Sequence, residues 1–100
     1  MTVMIGSHEF SGPHTAIHEI DDQAGIFIMV SKEGDSIFPI DVDESNAILT
    51  SIREHERKDC WKENCTGNLA VLVYYTPGMA SGGRQAIEQE IRNENFIPCG

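Results

Sequence analysis

The sequence predicts an α+β domain: a small three-stranded antiparallel sheet flanked by helices. Three observations predict it. Two segments, Gly25–Val30 and Leu69–Tyr75, are nearly continuous apolar runs, as strands covered on both faces are. A third, Ser36–Ile40, returns from the first through the hairpin-forming residues Lys32-Glu33-Gly34-Asp35. Two later segments carry apolar residues at helical spacing: Ala47, Ile48, Leu49 and Ile52, then Ala86, Ile87 and Ile91.

Each element has a local reason. Ser11-Gly12-Pro13 reads as a helix start, a serine cap with proline in the first turn, followed by apolar Ala16, Ile17 and Ile20. Asp21-Asp22-Gln23 ends that helix. Gly25–Val30 is the expected central strand. Pro39 cannot donate a ladder hydrogen bond, which assigns its strand to an edge. Asp43, Glu44 and Ser45 are expected to cap the next helix, with Arg53, Arg57 and Lys58 near its negative end. Residues 59–67 read as a short polar segment anchored by Trp61. Thr76-Pro77-Gly78 breaks the last strand, and Ser81 or Gly82 opens the final helix. Phe96-Ile97-Pro98 packs as an extended tail. The expected order is helix, strand, strand, helix, strand, helix.

One hundred residues make one domain, 1–100, with one modest core. The patch Val3-Met4-Ile5 is too short for a signal-peptide core and lacks a basic lead. No segment approaches the length that spans a bilayer. Three cysteines, Cys60, Cys65 and Cys99, fit reduced thiols in the cytoplasm better than a disulfide framework. The formal charge of −9, from 16 acidic and 7 basic residues, disfavours nucleic acid as a partner. The local cluster of Arg53, Arg57, Lys58 and Lys62 is interleaved with Glu54, Glu56, Asp59 and Glu63, and reads as a solvated helix end.

Gly25-Ile26-Phe27, Asp41-Val42-Asp43 and Ile87-Glu88-Gln89-Glu90-Ile91 stand in the order and spacing of three motifs. Through them the chain resembles the GIY-YIG nuclease family over about residues 17–99. Cys60-Trp61 and Pro98-Cys99 recur in some members of that family. The resemblance implies a GIY-YIG endonuclease-like fold and one-metal phosphodiester hydrolysis. A glutamate would hold the cation, tyrosines would orient water, and an arginine would steady the phosphate.

Carried over by position, these roles mostly fail. Phe27 keeps the ring of the first tyrosine without its hydroxyl. Asp41 stands at the second tyrosine and Asp43 at the following glycine. Ser51 stands at the arginine. Arg53, two residues on, is about 200° around the helix and points elsewhere. Only Glu88 matches. Loss of several such groups, each worth on the order of 100-fold, leaves little rate. The resulting expectation is a catalytically degenerate GIY-YIG-like pseudoenzyme. It would serve as a binding or interaction module for a protein or a small, cationic molecule, as monomer or homodimer, with no cofactor. The alternative is a divergent metal-dependent phosphodiesterase that binds Mg or Mn through Glu88, Asp41 and Asp43.

Blander readings stand beside these. Arg84, Glu88 and Arg92 have the spacing of a helix salt-bridge ladder, the preferred reading of Glu88. Asp43 and Glu44 are expected to act as caps and Asp41 to face water. His55, Cys60, Cys65 and Cys99 lack the tight Cys-x2-Cys spacing of a zinc site, so buried thiols are favoured. His14 and His18 read as surface residues. Ser81-Gly82-Gly83-Arg84 lacks the Lys-Ser/Thr of a phosphate loop. Asn64-Cys65-Thr66 is a glycosylation sequon by pattern only. Tyr74, Tyr75, Met79 and Phe96 are explained by strand and tail packing without a partner.

Overall fold

A computed structural model describes residues 1–100. The strands are β1 (Thr2–Ile5), β2 (His8–His14), β3 (Gly25–Glu33), β4 (Ser36–Ser45) and β5 (Asn68–Tyr75). The helices are α1 (Ile48–Arg53), α2 (Lys58–Asn64) and α3 (Ser81–Glu94), with a single 3-10 turn at Ile17–Glu19. The five strands form one antiparallel sheet in the order β1-β2-β5-β3-β4.

The α+β class holds, but the three-strand expectation falls short. β3, β4 and β5 are the strands read from the sequence, and β1 and β2 extend the sheet beyond β5. Ser11-Gly12-Pro13 is not a helix start. It lies inside β2, where Ser11 pairs Val73 and His14 pairs Val71 across an irregular register. The local capping chemistry yields here to long-range pairing. Most of residues 59–67, read as a short polar segment, lies in α2 (Lys58–Asn64), whose one buried residue is Trp61.

The two hairpins share one device. Gly6 and Gly34 each begin a two-residue loop at φ 61°, a conformation open to glycine and costly for side chains.

Alternation along β3 divides the core. Phe27 and Met29 face Ile48, Ile52, Trp61 and Cys99, the side covered by α1, α2 and the tail. Ile26, Ile28 and Val30 face Phe10, Val42, Leu72 and Ile91, the side covered by α3. Burial on both faces is why the β3 run shows no polar alternation. At Gly25 the backbone of β5 comes so close that a Cβ would lie 2.2 Å from the Tyr74 carbonyl oxygen.

β4 is the sheet edge that Pro39 foretold. Its register slips by one residue between Val30 and Met29, so that Ile40 is the extra residue of a bulge. Two of its outward carbonyls are covered: the Cys99 amide donates to Ile40 O at 2.9 Å, and Arg92 donates to Val42 O at 2.6 Å. Covering an edge in this way removes a template for strand addition.

Cys60 and Cys99 form a disulfide that joins α2 to the tail across 39 residues, and only Cys65 is free. This corrects the reading of three reduced thiols. Disulfides persist in oxidising compartments, so the thiol argument for a cytoplasmic location no longer stands. No helix is long and apolar enough to cross a membrane.

Candidate functional site

Of the positions singled out by sequence, Asp41, Asp43 and Glu88 lie together at the β4 edge, in a charged seam. Asp41 is its centre. The bulge keeps Asp41 opposite Met29, on the α2 side of the sheet, and its side chain is wholly buried. An ionised carboxylate held there without partners would be very costly. It has four N–H donors. Arg57 donates through Nε at 2.8 Å and Nη2 at 3.2 Å, Arg92 through Nη2 at 2.9 Å, and Trp61 through Nε1 at 2.7 Å. The fork geometry of Arg57 is the strong, bidentate form of such a pair. Asp41 therefore does not face water; it ties β4 to α2 and α3 at one point.

Asp43, two residues along, faces the same way opposite Phe27. It caps no helix: its Oδ1 accepts from the Glu44 amide at 2.9 Å, and its Oδ2 meets His55 Nε2 at 2.8 Å and Arg57 Nη2 at 3.5 Å. The His55 ring has both nitrogens engaged, because the Arg57 amide donates to Nδ1 at 3.2 Å. That bond fixes the tautomer, with the proton on Nε2 directed at Asp43. No lone pair is left for a general base or a metal. The ring also packs edge-on against Phe27 and over Trp61. Phe27 itself is fully buried in the core.

Glu88 belongs to the same neighbourhood and keeps one half of the expected ladder, the pair with Arg92. Its Oε2 accepts from Arg92 Nε at 3.1 Å, whereas Arg84 pairs with Glu44 at 2.8 Å. The same pair shows that Glu44 is no helix cap. Burial pushes the Glu88 carboxyl above its ordinary value. The Asp43 charge adds to that rise, and the Arg92 hydrogen bond and charge oppose it. Arg57 is held above its ordinary value chiefly by its hydrogen bond to Asp41, with the charges of Asp43 and Glu88 helping.

Ser51, at the arginine position, shares a 2.6 Å hydrogen bond with Ser45 Oγ and borders a shallow polar recess with Thr50, Glu54, His55 and Glu56. Capping of α1 comes from elsewhere. Asp22 accepts from the Thr50 amide at 2.9 Å and from its hydroxyl at 2.7 Å, and the amide bond is the main cause that lowers its carboxyl below the usual range.

The donor set suits a hard cation poorly. Such an ion needs several free oxygen ligands, but both Asp41 oxygens and one Glu88 oxygen already accept from guanidinium groups. No group of three or more His, Cys, Asp or Glu converges as a metal site. The zinc reading fails separately, because Cys60 and Cys99 are bonded to each other.

Sequence reasoning missed Arg57 and Arg92 as partners of Asp41. A signal was present: Asp41 sits between Ile40 and Val42, and a charge inside an apolar strand demands a buried counter-charge.

Compared with family models, curated proteins and solved structures, the chain matches none.

Proposed function

We propose that this chain is a catalytically degenerate GIY-YIG-like domain that acts by binding rather than by cleaving phosphodiesters. The observation that supports this most is Asp41. At the position matching a water-orienting tyrosine stands a carboxylate whose oxygens are all engaged by Arg57, Arg92 and Trp61. Phe27 offers no hydroxyl, and Ser51 no cation for a phosphate. An acidic surface of net charge −9 favours a protein or a small molecule over nucleic acid as partner.

A plasmid-nicking assay at low salt with Mg or Mn tests the reading. The expected result is no cleavage above background. Robust nicking that Glu88→Ala abolishes would overturn it in favour of a divergent phosphodiesterase. The observation favouring that second reading is the proximity of Asp43 to Glu88, whose carboxyl is raised chiefly by burial and further by Asp43. Under it, millimolar Mg or Mn should raise the melting temperature by mass action; under the binding reading the temperature stays put.

A further inference from the structure

On the same side of the sheet as Trp61, away from the Asp41 seam, lies an apolar groove of about 240 Å³. Met29, Val71 and Trp61 contribute to its lining, with Ile17 and Leu69 exposed beside them. Its charge is the notable property. None of the chain's 16 Asp and Glu residues lines it, whereas three of the 7 basic residues do: Arg53, Lys58 and Lys62.

The other four cations are committed elsewhere. Arg57, Arg84 and Arg92 pair with internal carboxylates, and Lys32 closes its own hairpin onto Gly34 O. Arg53, Lys58 and Lys62 form no ion pair. Lys58 donates to the Arg53 carbonyl, which uses one of its three protons. In a chain of net charge −9, three of the four Lys and Arg side chains without a carboxylate partner are thus gathered beside one apolar groove, Lys32 being the fourth. An uncharged occupant would need no such rim, and a cation would be repelled by it.

We propose that this groove binds a small amphiphilic carboxylate, its apolar body against Met29, Val71 and Trp61 and its head between Arg53, Lys58 and Lys62. At roughly 30 Å³ for each water-sized group, the volume admits a body of about eight heavy atoms, the size of a medium-chain fatty acid. The site shares Trp61 with the Asp41 seam but owes nothing to the GIY-YIG resemblance. Its failure would leave the degenerate-nuclease reading intact, and nicking activity would leave the groove intact.

Trp61 is the only tryptophan, so its emission reports occupancy. The experiment titrates octanoate, with octanol and octylammonium as matched probes, and follows fluorescence together with sedimentation. The expected result is a saturable change with octanoate, binding of octanol weaker by about tenfold, and no response to octylammonium. Lys62→Glu and Arg53→Glu, both at exposed positions, should each weaken octanoate about tenfold while leaving the far-ultraviolet circular dichroism unchanged. Equal binding of octanol, no saturation with octanoate, or folded variants that bind as before would each overturn the proposal. Self-association that octanoate does not reverse would do so too, since a second copy would then fill the groove.

Discussion

Two regions on one side of the sheet use cations in opposite ways. At the β4 edge, Arg57 and Arg92 are spent on Asp41, and the structure closes around them. At the groove, Arg53, Lys58 and Lys62 line an apolar floor with no carboxylate among the lining residues. Trp61 stands between the two, its indole N–H on Asp41 and its ring in the groove lining. The difference teaches that charge count says little about role. A cation already matched inside a fold is cement, and one left unmatched beside apolar surface is available to a ligand.

The largest effect should come from breaking the seam. Asp41→Asn leaves two guanidinium groups without their shared counter-charge, and loss of one partner of a buried ion pair costs about 3–5 kcal/mol. Lys62→Glu in the groove reverses a charge yet should change stability by no more than about 0.5 kcal/mol. Urea unfolding of both variants checks the contrast; similar costs would erase it.

Reduction of Cys60–Cys99 should come next. Opening a loop of 39 residues removes about 3–4 kcal/mol by chain entropy, and it frees the tail that covers Ile40 O beside the seam. Melting with and without a reductant measures it, and an unchanged transition would show that the seam holds α2 unaided.

The smallest effect is Glu88→Gln. The folded carboxyl lies above its ordinary value of 4.5, so the folded state binds its proton more tightly than the unfolded chain does. That contribution to stability is complete below the ordinary value and is lost as pH rises through the folded one. The glutamine variant should flatten this part of the stability–pH curve and be close to neutral at pH 7. A steeper slope in the variant would show that the Arg92 pairing, not burial, governs Glu88.

Much of the fold was legible because hydrophobic pattern carried it. The β3 and β5 runs, the Gly34 turn, the Pro39 edge and the apolar face of α3 all follow from local chemistry. The first hairpin was not legible. Ser11-Gly12-Pro13 satisfies a helix-start pattern, and only pairing with β5 makes it a strand. Helix α2 was missed because a single buried residue, Trp61, gives no periodicity. Of the candidate site, the sequence singled out Phe27, Asp41 and Glu88 but not the arginines that seal Asp41. Arg57 looks like an ordinary solvated charge until α2 is folded against β4. The groove could not be read at all, since its lining comes from three strands, two helices and a 3-10 turn.

The Asp22 cap carries a consequence for how the chain folds. Helix α1 spans six residues, and its own N-cap, Ala47, supplies no side-chain bond. A helix so short is not stable by itself in water. Its first turn is secured by a carboxylate 28 residues upstream, so β3 and β4 must already be in place before Thr50 meets its acceptor. Residues 48–53 cut out as a peptide would be coil. In refolding, helical signal from this segment should arrive together with sheet formation, at the slower pace that distant pairings impose.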